Sequence, residues 1–455
     1  MEPETDEITK EDLENVYDLN DSYTILLDYK LGSGAFGQIY KCLNKKTNKL
    51  YAAKIESYDT QNPQLLKESK IINEMKGSFG FPYLYEVINK TQDLIIIIDL
   101  LGPNLGDIMF NLPGRKFSIK TSLMISNQIL QRLKDLHEKG FIHRDIKPEN
   151  FVIGRKPKER IIYMIDFGLS RRYINEKNKN HISLKNERGI LGTLRYISIN
   201  CHEGLEVSRR DDLESLFYII IYFFTGNLPW IGIRCKNKEE KYKKVYEKKK
   251  KSVPNDICKD LPEEFKMFIS YVLDLDFMDK PNYNYLNGLI DRLFTKFGCS
   301  KDDINFDWYN EEFLKKLYDT CARNNNNTSE NNNNINDNNI NINNNKNNNK
   351  DNKGISGKNS NIKKNNVCKK SNLNNVKINI NAFKTPPIKT KNKDNLIENI
   401  PIYKKNKFEG RKMNGRHNSN IPISKKKLLE YKTGKRNISN IHEQKTDNPK
   451  MKKKI

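Results

Sequence analysis

Two short stretches near the middle of the chain constrain its fold more than any other feature. The first is FIHRDIKPENFVIG at 141–154, and the second is YMIDFGLSRRY at 163–173. A carboxylate such as that of Asp145 can take a proton from a hydroxyl group. Asn150 and Asp166 offer the oxygen ligands that Mg²⁺ prefers. The two stretches together predict a catalytic site that also binds a metal ion.

The order and spacing of these residues resemble the signature of protein kinases. In that signature the first Asp is the catalytic base, the Asn and the second Asp bind Mg²⁺, and ATP supplies the phosphoryl group. The resemblance implies that Asp145 is the base, that Asn150 and Asp166 are metal ligands, and that ATP and Mg²⁺ are the cofactors. Lys147, two residues after the base, is typical of kinases that act on serine or threonine.

A glycine-rich stretch, KLGSGAFGQIYKC, lies near the N-terminus. Its GxGxxG pattern also occurs in dinucleotide-binding folds, which place a helix after the last glycine. The alternating residues that follow here predict a second strand, and therefore a hairpin. Backbone N–H groups of such a hairpin can approach phosphates closely, although a plain turn is the alternative. The residues predicted to contact the nucleotide are Leu31, Gly32, Ser33, Gly34, Ala35, Phe36, Gly37, Gln38 and Ile39.

Three later segments fit the same nucleotide site. Lys54 lies in the strand-like stretch LYAAKIES, from which it can reach phosphates. The next segment has the apolar periodicity of a helix, and its Glu68 is predicted to pair with Lys54. A solvated helix glutamate is the alternative for Glu68. The apolar stretch LIIIIDLLGPNL then predicts a strand that ends in a hinge, where backbone groups of Asp99 and Leu101 would face adenine.

Beyond these motifs the chain departs from the common kinase pattern. In GTLRYISIN, the residues Ser198, Ile199 and Asn200 stand where most kinases have Ala-Pro-Glu. With NPQLLKESKI, DLLGPNL, SRRDDLES and DKPNYNYL, this makes residues 23–310 similar to the casein kinase 1 family. The related tau-tubulin kinases match less closely at SRRDDLES and in the glycine loop.

The resemblance to casein kinase 1 implies an α+β, two-lobed protein kinase fold. A small β-rich lobe would span about residues 23–99, and a larger helical lobe about 103–315. Thr193 matches a catalytic-site threonine whose hydroxyl bridges the catalytic Asp and Lys. Asp212 matches an aspartate that braces the catalytic-loop backbone, which is a supporting role.

The same resemblance implies a substrate preference. Members of the family phosphorylate serine or threonine that follows, by three residues, a phosphorylated or acidic side chain. The positions matched to their anion pocket are Lys185, Gly232 and Lys241. At position 185 the family usually has arginine, whose guanidinium can bind two phosphate oxygens at once. Lysine cannot, so we expect the preference for an upstream anion to be weaker here. A solvated lysine in a Lys-rich helix is the alternative for Lys241.

Charge divides the chain of 455 residues into three parts. Residues 1–22 form an acidic extension with nine Asp or Glu, and 23–315 form the predicted kinase domain. Residues 322–455 are rich in Asn and Lys and contribute +22 of the net charge of +24. Because this tail has almost no apolar periodicity, we predict that it is disordered. It could bind RNA or anionic surfaces, or it could have no dedicated partner.

Cysteine usage and hydropathy bear on location. The seven cysteines are scattered and form no CxxC pair, which fits a reducing compartment. The longest apolar runs, 94–101 and 216–224, are too short to cross a bilayer, and the acidic N-terminus does not resemble a signal peptide. We therefore expect a monomer without a transmembrane segment, in the cytoplasm or nucleus.

An active serine/threonine kinase is thus the leading hypothesis. The main alternative is a pseudokinase scaffold that binds partners without chemistry. Pseudokinases usually lack the equivalents of Lys54, Asp145 or Asp166, and all three are present here.

Overall fold

The computed structural model describes residues 8–9, 11–34 and 37–318. The predicted disordered tail at 322–455 lies outside these residues. The described chain has a smaller lobe built on one antiparallel sheet and a larger, mainly helical lobe, as predicted. None of its helices combines the length and apolar character needed to span a membrane.

The smaller lobe is a six-stranded sheet with one helix against it. Its strand order is β1-β2-β3-β4-β6-β5. Apolar side chains of the central strands alternate between the two faces, so one set packs together and the other packs against the helix. The elements are β1 (Val16–Asp18), β2 (Tyr23–Gly34), β3 (Gly37–Asn44), β4 (Lys49–Ser57), α1 (Leu65–Glu74), β5 (Leu84–Asn89) and β6 (Asp93–Ile98).

The sheet begins before residue 23, where the kinase domain was predicted to start. Strand β1 pairs antiparallel with β2, with Val16 opposite Leu26. The segment before β1 is also attached to β2, because the Tyr29 hydroxyl donates to Asp12. Part of the acidic extension is therefore an edge strand of the lobe. A segment this short has too weak a strand propensity for the strand to be predicted from the sequence.

The larger lobe is organised around a helix that is buried along most of its length. Helix α5 packs against α3 and α7, which cover two of its sides. The helices are α2 (Leu105–Asn111), α3 (Ile119–Glu138), α4 (Ile199–His202), α5 (Arg209–Thr225), α6 (Lys238–Ser252), α7 (Glu263–Leu273) and α8 (Tyr283–Lys296).

Two short antiparallel pairs of strands lie between α3 and α4. Strand β7 (Phe141–Ile142) pairs with β10 (Arg171–Arg172), and β8 (Phe151–Ile153) pairs with β9 (Ile162–Met164). The β8–β9 pairing continues into the loops, because the Ile165 N–H donates to the Asn150 carbonyl at 3.0 Å. This pairing brings the two motif stretches at 141–154 and 163–173 side by side.

The lobe continues past α8 into residues 306–318. Trp308 is fully buried, stacks on Phe306 and meets Phe117 edge-on. A helical stretch at 311–318 follows. The folded region therefore extends beyond residue 310, where the sequence resemblance ends.

Candidate active site

The catalytic loop rests on a buried carboxylate from α5. Asp212 accepts hydrogen bonds from the backbone N–H groups of His143 at 2.7 Å and Arg144 at 2.8 Å. It also meets His137 Nε2 at 2.9 Å, and Tyr283 meets the other ring nitrogen at 2.6 Å. Burial would raise the pKa of Asp212, but the hydrogen bond from His137 holds it below its ordinary value. Asp212 thus braces the loop as an anion, as predicted.

Both oxygens of the Asp145 carboxylate have a partner. Thr193 donates to Asp145 Oδ1 from its backbone N–H at 2.9 Å and from its hydroxyl at 2.8 Å. Lys147 Nζ lies 2.7 Å from Oδ2. Asn150 donates to the Asp145 carbonyl at 2.8 Å. Three of the predicted catalytic residues therefore contact Asp145 directly, and all four side chains are almost fully buried.

Glycine at position 192 permits this arrangement. Gly192 has a φ of +98°, and a Cβ there would lie 2.7 Å from the Arg144 carbonyl oxygen. A larger residue would push the chain away from the catalytic loop. Thr193 would then lose its double hydrogen bond to Asp145.

Lys54 is held by two carboxylates. Its Nζ lies 2.7 Å from Glu68 Oε2 and 3.1 Å from Asp166 Oδ1. Burial would lower the pKa of Lys54, but the charges of Asp166 and Glu68 raise it above its ordinary value. The predicted Lys54–Glu68 ion pair is therefore present, and it joins α1 to the second motif through Asp166.

Asn150 directly precedes β8 and Asp166 lies two residues after β9, so both lie at the same end of this antiparallel pair. Burial would raise the pKa of Asp166, but Lys54 and Lys147 lower it, so the carboxylate stays ionised. Asp166 adopts a φ of +63°, a costly conformation that often accompanies functional sites. An ionised carboxylate and an amide oxygen beside it suit Mg²⁺, which also keeps several water ligands.

The glycine-rich stretch forms the predicted hairpin. Gly32 pairs with Ile39, Ser33 with Gln38 and Gly34 with Gly37. Gly37 has a φ of +120°, and a Cβ there would lie 2.0 Å from the Ile55 carbonyl oxygen, so only glycine fits. Ala35 and Phe36, at the tip, lie outside the described residues.

At the hinge, the side chain of Asp99 is engaged within the smaller lobe. It accepts from the Tyr83 N–H at 2.7 Å and from the Tyr85 hydroxyl at 2.8 Å. Leu101 is half-buried, and the Gly102 N–H donates to the Ile153 carbonyl. The Asp99 carboxylate is therefore already engaged, which leaves the hinge backbone for contact with an adenine ring.

The three residues predicted for the anion pocket are distributed over separate segments. Lys185 lines a cavity of about 360 Å³ together with Arg171 and His181. Gly232 and Lys241 are not among the residues that line this cavity. Lys241 lies in the first turn of α6.

A different cation, Arg195, belongs to a segment whose backbone is bonded to the Gly232 turn. The Trp230 Nε1–H donates to the Arg195 carbonyl at 2.8 Å, which ties the Thr193 loop to the turn that contains Gly232. The Arg195 guanidinium stacks over Tyr196 and Tyr222, at 5.7 Å from each ring. Sequence reasoning missed Arg195, although its position two residues after Thr193 was a usable signal.

A second cavity, of about 220 Å³, is lined by three arginines. Arg171 and Arg188 both bind the buried carboxylate of Glu206, at 2.5 and 2.6 Å. Burial and the charge of Arg171 lower the pKa of Arg144 to about 10, so it stays charged at neutral pH.

The two-lobed fold, the braced catalytic loop and the Lys54–Glu68 pair together define a protein kinase. Residues 26–287 match the family model described as the protein kinase domain. This match covers more than half of the chain, so the chain belongs to the protein kinase family. Kinases of this family use ATP and Mg²⁺, and the oxygen groups of Asn150 and Asp166 fit that requirement.

Proposed function

We propose that this protein is a serine/threonine kinase of the casein kinase 1 type. It would transfer the terminal phosphoryl group of ATP to hydroxyl groups that lie downstream of acidic or phosphorylated residues. The single observation that carries the proposal is the environment of Asp145. The carboxylate is fixed by Thr193 and Lys147 in a buried site, where it can accept a hydroxyl proton.

The contacts assign a task to each residue of the site. Asp145 takes the proton of the attacking hydroxyl. The Lys147 ammonium binds the negatively charged phosphate next to that hydroxyl. Lys54, oriented by Glu68, binds phosphate oxygens. Bound Mg²⁺ would neutralise charge on the phosphates, held by Asn150 and Asp166.

The casein kinase 1 assignment is supported by the Ser198 segment. Ser198 donates to the Asp211 carboxylate at 2.7 Å, and Asn200 donates to the same oxygen at 3.0 Å. The SIN sequence and the SRRDD sequence are thus in direct contact, so the two features of the resemblance form one structural unit. A tau-tubulin kinase specificity is the alternative within the same fold.

A pseudokinase scaffold is the alternative in another class. It is disfavoured because Lys54, Asp145 and Asp166 are present and lie in mutual contact or in contact with their partners. A scaffold would have no need to keep Lys54 paired with Glu68 in a site buried from water.

An oriented peptide-library phosphorylation assay with the full chain tests the proposal. We expect phosphate on serine and threonine and none on tyrosine, with enrichment of acidic or phosphorylated residues three positions upstream. The Asp145→Asn chain is the control for contaminating kinases. Equal activity of wild type and Asp145→Asn would refute the kinase proposal, and tyrosine labelling would refute the specificity.

A further inference from the structure

Helix α6 carries a run of four lysines, and one of them is completely buried. Lys248 to Lys251 follow one another, yet only Lys249 has no exposed surface. Lys250, the next residue, has 61% of its side chain exposed and contacts Glu203. A lysine ammonium is costly to bury, so its burial needs specific partners.

The partners of Lys249 are backbone carbonyls of the Thr193 loop. Its Nζ donates to the Ile197 carbonyl at 2.6 Å and to the Leu194 carbonyl at 3.1 Å. The Arg195 carbonyl between them accepts from Trp230. Three of the four carbonyls at 194–197 therefore accept hydrogen bonds from side chains. These carbonyls have no partners in a helix or strand, because the loop belongs to neither.

The walls of the Lys249 site also favour a cation. The ammonium lies over the Tyr218 ring at 4.8 Å and the Trp230 ring at 5.2 Å. The Glu214 carboxylate on α5 lies nearby and accepts from the Tyr218 hydroxyl and the Ile199 N–H. Burial acts against the charge, because it lowers the pKa of Lys249 to about 7 even though Glu214 and Cys201 raise it. Lys249 in turn lowers the pKa of His202 on α4.

We propose that Lys249 is a positioning residue for phosphoryl transfer, an inference that rests on the proposed function. It fixes the backbone at 194–197 and thereby holds Thr193 against Asp145. The same loop lies where a substrate chain would pass the catalytic carboxylate. Lys249 touches neither reactant, so it acts through Thr193 and through the shape of the loop.

Replacing Lys249 by methionine keeps the length of the side chain and removes its hydrogen-bond donors. Two carbonyls would then be left buried without partners, which is costly for the loop conformation. We expect the loop to open locally while the smaller lobe and the Lys54 site stay intact. The effect should fall on the peptide substrate and on turnover, and not on ATP.

The test compares full-length wild type, Lys249→Met and the matched control Lys250→Met. In Lys249→Met we expect faster amide hydrogen exchange at 193–199, kcat/KM for peptide lowered at least tenfold, and KM for ATP within twofold of wild type. Lys250→Met should match wild type in all three. Unchanged exchange at 193–199, or kcat/KM for peptide within twofold of wild type, would overturn the proposal.

A second variant covers the case in which Lys249→Met does not fold. Trp230→Phe retains an aromatic ring under the loop but removes the hydrogen bond to Arg195. We expect the same signature with a smaller amplitude, and a lack of change in exchange at 193–199 would again count against the proposal. If the wild type has no kinase activity, the proposed function fails, whereas hydrogen exchange still decides whether Lys249 holds the loop.

Discussion

Two groups of polar and charged residues in the larger lobe differ in their burial. The catalytic floor, which we define as Asp145, Thr193, Asp212 and Lys249, is at most 3% exposed. The basic rim, which we define as Arg171, Lys185 and Arg188, lies at the surface, with 32% of the Arg171 side chain and 41% of the Arg188 side chain exposed.

The two regions also differ in how their charges are satisfied. Each floor group takes part in two or more hydrogen bonds. The rim arginines at 171 and 188 share a single carboxylate, that of Glu206. Buried, fully bonded groups fix geometry, whereas exposed cations are screened by salt and adapt to a ligand. Substitutions in the floor should therefore change turnover, and those in the rim should change substrate preference.

The largest effect is expected for Asp145→Asn in the floor. The amide cannot accept a proton at neutral pH, so kcat should fall by about 10³-fold or more, while KM for ATP stays within about twofold. Steady-state kinetics with a peptide substrate measure both quantities. Turnover within tenfold of wild type would show that Asp145 is not the base.

A smaller loss is expected for Asp212→Asn, which tests the floor without touching the reactants. An amide can accept only at its oxygen, so one of the donors at His143, Arg144 or His137 loses its partner. We expect kcat to fall about 10- to 100-fold and the melting temperature to fall by several degrees, since an unpaired buried group costs about 1–3 kcal/mol. Asp302→Asn, at an exposed aspartate, is the control and should change neither.

Stability should also respond to acid through His202 on α4, which interacts with the floor residue Lys249. Burial lowers the pKa of His202 to about 2, and the charge of Lys249 acts in the same direction. The unfolded chain binds a proton below about pH 6.5 and the folded chain does not, so stability is lost as the pH falls. His202→Phe, which can keep the contacts with Tyr242 and Tyr246, should recover about 1–2 kcal/mol at pH 5 relative to pH 7.5. Urea unfolding at both pH values measures this, and an equal acid loss in both proteins would contradict it.

The smallest effect is expected for anion recognition, which has one candidate residue in the rim, Lys185, and another outside it, Arg195. Lys185→Ala should lower the ratio of kcat/KM for phosphorylated over unphosphorylated peptide by about threefold or less. Arg195→Ala should lower it more, because it removes a cation from a segment whose backbone is bonded to Trp230, two residues before Gly232, the glycine matched to the family's anion pocket. Lys241→Ala tests the remaining predicted residue. If Lys185→Ala has the largest effect of the three, the pocket is the one predicted from the sequence.

The sequence indicated the catalytic and metal-binding residues better than the cations that support them, for a physical reason. Asp145, Asn150 and Asp166 lie within short motifs, where spacing along the chain determines spacing in the fold. The Lys54–Glu68 pair was also predictable, because a strand and the helix after it form one local unit. Lys249 was missed because its partners are backbone carbonyls about 50 residues away. Arg195 was missed because its side chain stacks on the rings of Tyr196 and Tyr222, and neither kind of contact leaves a pattern in composition.

The edge strand β1 has a consequence for how this protein can be handled. Removal of residues 1–22 would leave the long strand β2 at the border of the sheet, with a row of unpaired N–H and carbonyl groups along 24–26. Such a border is a template for pairing with another chain. A protein trimmed to the apparent start of the domain should therefore self-associate through β2, even though every catalytic residue is retained.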